Sequence, residues 1–259
     1  MNAQSRDILI ALALKTKGDW NLMYRYVVKP EEIEDEYFLE VEKLKCKVVT
    51  MLDPDYPPFL KNVRNAPMVL FYYGDLDIIK DYYKNVSIVG SRDCSSYGIT
   101  KTHEIASDLA KRGYTIVSGL ARGIDSIAHQ SAIENGGKTV AILGSGIDYC
   151  YPAENIDLYK EIKDNHLLIS EIPYDNPPNP SSFPFRNRII AGMSKTVLIT
   201  EAAPHSGSLI TATLASMLNA DVMCVPHEAG KNSECNRLIK NGAFLVESAD
   251  DVIEQMSNF

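Results

Sequence analysis

The sequence predicts an α/β fold, a doubly wound and mostly parallel sheet, with a small helical domain ahead of it. Two observations carry this prediction. From Val69 onward short apolar runs alternate with helix-like segments, and between Val86 and Ala229 six such runs end in clusters of Gly, Ser or Arg. Apolar runs of about four to six residues, separated by helix-length stretches, describe parallel strands buried on both faces. Right-handed crossovers then gather the strand-to-helix turns on one edge of the sheet, where ligands bind.

The first 60 residues read as helices. Ile8, Leu9, Leu12 and Leu14 form one partial stripe; Leu22, Tyr26 and Val27 form a second, and Tyr37, Phe38, Val41 and Leu44 a third. The acids Glu31, Glu32, Glu34, Asp35, Glu36, Glu40 and Glu42 read as the solvated face of a helix started by Pro30. Asp53-Pro54-Asp55-Tyr56-Pro57-Pro58 then stops any helix, because proline lacks a donor and disfavours helical geometry in its predecessor. The expected domains are therefore 1–60, helical, and 61–259, built on the sheet. A helical unit this small has a thin core and should lean on its neighbour.

Beyond the boundary, Val69 to Tyr73, Val86 to Val89, Thr115 to Ser118, Thr139 to Leu143, Thr196 to Thr200 and Phe244 to Val246 read as strands. Tyr97 to Arg112, Ile124 to Glu134 and about Asp250 to Met256 read as helices. Leu214, Met217 and Leu218 read first as core.

Composition limits the function. With 259 residues, 45% of them hydrophobic and 23% charged, the chain can bury a sizeable core. It has no apolar stretch of membrane-spanning length, and Arg6, Asp7, Lys15, Lys17 and Asp19 interrupt its start, so neither a membrane partner nor a signal peptide is expected. The expected location is the cytoplasm. Cys46, Cys94, Cys150, Cys224 and Cys235 are odd in number and lack metal-ligand spacing, which reads as reduced structural thiols and no metal. A net charge of −8 excludes a protein coated with phosphate contacts but permits a local basic site.

Three clusters point to such a site: Gly90-Ser91-Arg92, the turn Gly119-Leu120-Ala121-Arg122-Gly123-Ile124-Asp125, and Ser206-Gly207-Ser208. Each follows a strand and opens a helix, whose N-terminus offers free N–H groups and partial positive charge to an anion. A fourth segment, Phe183 to Gly192, places Arg186, Asn187 and Arg188 at a helix start. Cations there oppose the helix dipole, so they need an anion, either a phosphate gripped by the arginine fork or a nearby acid. Phe183 offers a stacking face to an unstacked base, or else belongs to the core.

Familiar catalytic and cofactor motifs are missing. Gly137-Lys138-Thr139 precedes its strand and has Ala132 where a P-loop needs glycine; Gly144-Ser145-Gly146 has Tyr149 where a dinucleotide fingerprint needs its third glycine. No cofactor is expected. His103, His129, His166, His205 and His227 are scattered without zincin spacing, and no serine sits in a hydrolase elbow, so no catalytic residue is assigned. His205 adjoins Ser206 and is a further candidate phosphate contact, while Asp125 reads as a helix cap.

Taken in order, Ile88-Val89-Gly90-Ser91-Arg92, Ser118 to His129, Leu143 to Asp148 with Tyr151-Pro152-Ala153-Glu154-Asn155, Phe183 to Ala191, and Ser206 to Ala212 resemble the DNA-processing protein A family, DprA or Smf. The resemblance implies an extended Rossmann-like domain that binds single-stranded DNA, forms a homodimer and loads a RecA-type recombinase during natural transformation. It also implies a helical N-terminal domain of sterile-alpha-motif type and no catalytic reaction. Carried over residue by residue, the DNA pocket is Gly90, Ser91 and Arg92; Gly119, Arg122 and Gly123; Phe183, Arg186, Asn187 and Arg188; and Ser206, Gly207 and Ser208.

Three departures qualify the transfer. Asn179-Pro180-Ser181-Ser182 supplies none of the basic charge that members often carry ahead of the Phe-Pro pair, and Pro226-His227-Glu228 replaces a Pro-Gly turn. A winged-helix-like domain, found at the end of many members, is not expected here. The alternative function, a nucleoside monophosphate phosphoribohydrolase of lysine-decarboxylase-like fold, would need a Pro-Gly-Gly-x-Gly-Thr loop, which does not occur.

Overall fold

The computed structural model describes residues 5–229 and 234–257. Six of the apolar runs lie side by side and parallel: β3 (Asn85–Val89), β4 (Thr115–Ser118), β5 (Lys138–Ile142), β6 (Leu167–Ser170), β7 (Thr196–Ile199) and β8 (Asp221–Cys224). β9 (Phe244–Leu245) extends them in parallel beyond β8, while β2 (Val69–Tyr73) runs antiparallel to both β6 and β1 (Lys47–Thr50). Among the described residues the order is β1-β2-β6-β5-β4-β3-β7-β8-β9. The chain winds outward from β3 to β6, returns to lay β7 against the other side of β3, and continues through β8 to β9. Winding therefore reverses between β3 and β7, and their carboxyl ends open a crevice there.

Period-two alternation assigns each strand residue to a core. Val117, Val140, Ile142, Val197 and Ile199 meet Ile189 and Ile190 of α7 (Ser182–Gly192) and Ala212 and Ala215 of α8 (Gly207–Met217), with Cys235 of α9 (Glu234–Lys240). On the opposite face Ile88, Ile116 and Leu198 meet Ile105 and Leu109 of α4 (Ser96–Lys111), Ile124 and Ala128 of α5 (Ile124–Glu134) and Val252 of α10 (Ala249–Ser257). Beside that core, Phe71, Ala141 and Leu168 pack on Ile10, Leu12 and Leu14 of α1 (Ser5–Lys15) and on Leu158 and Ile162 of α6 (Ile156–Asn165).

The N-terminal region is helical as expected, with α2 (Trp20–Val28) and α3 (Asp35–Val41) after α1, and its apolar side chains do lean on the sheet. Two details differ from the sequence reading. Residues 1–60 are not all helix: Lys47–Thr50 is the edge strand β1, paired in register with Thr50 opposite Val69, so the sheet begins before the proline-rich break. Its Val48-Val49 pair is β-branched and favours that geometry. Pro30 starts no helix either. α3 begins at Asp35, where Asp35 and Glu36 suit the positive helix end, and Glu34 instead pairs with Lys15 at 2.6 Å. Among the described residues no helix is long and apolar enough to cross a membrane.

Candidate nucleic-acid interface

The crevice at the winding reversal is a cavity of about 650 Å³. Gly90, Ser91 and Arg92 line it from the end of β3; Phe183, Arg186 and Asn187 from α7; Ser206, Gly207 and Ser208 from the start of α8. Gly119, Arg122, Gly123 and Arg188 do not line it. Hydrogen bonding explains the difference, because the candidate turns are not equally open.

The N-terminus of α4, which follows Arg92, is already occupied. The Glu201 carboxylate accepts from the Ser95 N–H at 3.0 Å and from the Ser95 hydroxyl at 2.5 Å, so an internal anion sits where a phosphate was expected. The turn from Gly119 to Gly123 is closed as well. Asp125 does not cap α5; its carboxylate accepts from Gly119 N–H at 3.1 Å and Ala121 N–H at 3.4 Å, and Ser91 carbonyl accepts from Ile124 N–H. Arg122 is exposed outside the cavity, 3.8 Å from Asp93 and 3.7 Å from Glu154.

Arg186 crosses the floor of the crevice. Its buried guanidinium donates to the Gly119 carbonyl at 2.8 Å and to the Ile142 carbonyl, and a Cβ on residue 119 would sit 2.5 Å from it. Burial pushes Arg186 down to about 10 and pushes Asp125 up, while the opposite charges of the two work against both shifts. The pair ties β4, β5 and α7 together beneath the ligand space. Asn187 links the same floor to α8 through its amide, which donates to the Gly207 carbonyl at 3.2 Å.

Arg188 takes the other option that the sequence left open, pairing with an acid. It donates to Glu171 at 2.6 Å, to Asn65 carbonyl at 3.0 Å and to Phe185 carbonyl at 2.8 Å, with its guanidinium 3.7 Å from the Phe185 ring centre. Every side of the fork is engaged inside the protein.

What remains open lines the same cavity. The cap residue of α8, Ser206, makes no side-chain bond to the helix backbone, and no described residue accepts from the Gly207 or Ser208 N–H. Ser206 and Ser208 hydroxyls lie 2.7 Å apart beside these donors. Arg92 is exposed and has no acid within ion-pair distance among the described residues; its guanidinium stands 5.6 Å from the Phe183 ring. Tyr151, which the site reading missed, lies 5.2 Å from that ring and lines the same cavity. An anion thus meets backbone N–H groups, hydroxyls and one free guanidinium, with two aromatic rings alongside.

The histidines lie elsewhere. His129 is buried with Nδ1 2.6 Å from the Thr139 hydroxyl, and burial holds its pKa down to about 3, so it is neutral. His103 bonds the Ser131 hydroxyl at 3.0 Å, and His205, exposed at φ +60°, does not line the crevice. His227, at the departed turn, reaches the Thr200 carbonyl at 3.1 Å and meets the Tyr97 ring edge-on at 5.1 Å.

These features define a doubly wound, Rossmann-like α/β protein with a crevice at its winding reversal, lined by an open helix start and an unpaired arginine. Residues 47–257 match the family of DNA recombination-mediator protein A, and the chain belongs to that family. The DNA processing protein DprA of Streptococcus pneumoniae is 41% identical over 223 residues, 85% of this chain and 78% of that protein. Protein Smf of Synechocystis is also 41% identical, over 224 residues, 85% of this chain and 56% of its own length. The chain therefore spans little more than half of the Synechocystis relative. The solved structure of the pneumococcal DprA superposes with a TM-score of 0.80 at 35% identity, covering 98% of this chain and 93% of that one. That of DNA processing protein A from Helicobacter pylori, described for its single-stranded DNA binding mode, gives 0.74 at 29% identity, covering 83% and 97%.

Proposed function

We propose that the crevice holds single-stranded DNA and that the protein is a non-enzymatic, cytoplasmic recombination mediator, which protects incoming strands and loads a RecA-type recombinase during natural transformation. The observation that carries the reading is the open α8 N-terminus on one wall and unpaired Arg92 beside Phe183 on the other. Phosphate is the anion this geometry suits, and the half-buried Phe183 ring with the exposed Tyr151 ring beside it suits bases freed from a duplex. The names of the DprA relatives and the Helicobacter pylori description support the same ligand. Binding should favour single strands strongly over duplex and show little sequence preference. With about two or three phosphate contacts the log–log salt slope on single strands is expected near −1.4 to −2.1. Titration of labelled strands across a salt series checks this; equal affinity for duplex, or no salt dependence, would end the reading.

The mediator acts as a homodimer in this proposal. A protein of net charge −8 with one short basic site gains from presenting two such sites to one strand. The sheet edge at β9 supplies a surface for symmetric pairing. Leu245 is 50% exposed there, and Met217 on neighbouring α8, read as core from sequence, is 68% exposed. Sedimentation should show a dimer, and Leu245→Glu a monomer whose affinity no longer rises with oligonucleotide length. A wild-type monomer in the presence and absence of a long strand would remove the dimer.

A further inference from the structure

A second cavity, of about 420 Å³, adjoins the crevice, and Asn179 and Arg186 line both. One wall is the turn between α1 and α2, with Lys17, Trp20 and Asn21; the other is the end of β6 at Glu171 and the proline-rich loop that carries Asn176 and Asn179. Its chemistry differs from that of the crevice. Asp19 and Glu171 offset Lys17 and Arg186, so no net positive charge faces a phosphate, and the Asp19 carboxylate already caps α2 through Asn21 and Leu22 N–H. The remaining lining is neutral, amide-rich and aromatic.

Several of its polar groups are uncommitted. The Asn21 side-chain amide and the Lys17 ammonium have no partner among the described residues, and the Asn179 amide donates to nothing although its oxygen holds Ser181 and Ser182 N–H. Glu171 spends one carboxylate oxygen on Arg188 and lines the cavity. Trp20 lines it too, braced by its Nε1 donation to the Ala66 carbonyl at 2.9 Å and by stacking on Tyr24 at 5.1 Å. Amide donors, a carboxylate acceptor and an indole in a space of this size suit a flat, neutral group with hydrogen-bonding edges, which is a nucleobase.

We propose that this cavity is a base subsite: it takes a nucleobase of the strand whose phosphate lies in the crevice, with Arg186 and Asn179 at the junction. The assignment rests on the single-strand reading above and extends it to the N-terminal helices. Those helices thereby become part of the ligand site, with the α1–α2 turn supplying donors and the indole.

Trp20 is the sole tryptophan of the chain, so its emission reports this cavity alone. The test titrates the protein with a labelled oligothymidylate and with an abasic phosphodiester of equal length, reading strand anisotropy and Trp20 emission together. The base-bearing strand is expected to bind and change the emission, and the abasic strand to bind more weakly without changing it. Lys17→Ser with Asn21→Ala should weaken the base-bearing strand about threefold to tenfold, the weight of one or two hydrogen bonds, and leave the abasic strand unaffected. Binding of the oligothymidylate with unchanged emission, or equal emission changes with both strands, overturns the base subsite and leaves the crevice standing. No anisotropy change with either strand removes the single-strand reading itself, and the subsite with it.

Discussion

Arg92→Ala is expected to weaken single-strand binding about tenfold to a hundredfold, the weight of a charged hydrogen bond worth about 1.5–3 kcal/mol, while the fold melts as before. Arg92 is exposed and makes no ion pair among the described residues, so its removal orphans no buried group. The neighbouring acid, Asp93, lines the same cavity but makes no ion pair with Arg92, its carboxylate lying 3.8 Å from Arg122. That leaves the Arg92 charge free for a ligand in the cavity that Gly207 and Ser208 also line. Arg92→Lys should fall between wild type and alanine, because a point charge keeps the attraction but loses the fork that grips two phosphate oxygens. Fluorescence anisotropy with a short labelled strand, alongside a thermal melt, checks both. Affinity of Arg92→Ala within twofold of wild type, with an unchanged melt, would mean that the crevice is not where the strand binds.

Much of the sheet was legible because parallel strands buried on both faces leave unbroken apolar runs, and β3, β4 and β7 appear where Val86 to Val89, Thr115 to Ser118 and Thr196 to Thr200 were read. β1 was hidden because Lys47–Thr50 is an edge strand of four residues with one half-polar face, lying between a helical stripe and a run of prolines. At the site, strand-to-helix turns located the crevice but could not tell which were open. That depends on acids distant in sequence or folded back from the next helix. Glu201 lies 106 positions from the Ser95 it binds, and Asp125 turns its carboxylate back on Gly119 when a cap at its own helix start is the simpler expectation. One signal was available: an acid placed directly after β7, as Glu201 is, lies on the same sheet edge as the α4 start. Local pattern locates helix ends; only the tertiary partner shows whether the end is free.

Arg188→Ala, by contrast, is expected to cost stability and spare binding. Glu171 is mostly buried, its side chain 11% exposed where it lines the second cavity; burial pushes its carboxyl up and the Arg188 guanidinium at 2.6 Å holds it back. Removing one member of such a pair leaves the other charge buried alone, at a cost of about 3–5 kcal/mol. At about 2–4 °C per kcal/mol for a chain of this size, the melt should drop by about 6–20 °C. The variant's folded-state Glu171 pKa then rises further above its unfolded value. Its deficit is therefore full at neutral and alkaline pH, where the lone carboxylate is charged, and shrinks as pH falls through that raised pKa toward the ordinary carboxylate range. Denaturant midpoints at pH 8 and pH 5, each against wild type, measure the change. The double replacement Arg188→Met with Glu171→Leu should recover most of the loss, since no charge stays buried. Single-strand affinity, measured well below the lowered melt, should stay within about twofold, because all three sides of the Arg188 fork are spent on Glu171, Asn65 and Phe185. An unchanged melt with a large loss of binding would instead make Arg188 a phosphate ligand, and the ion pair with Glu171 would then not be what holds it.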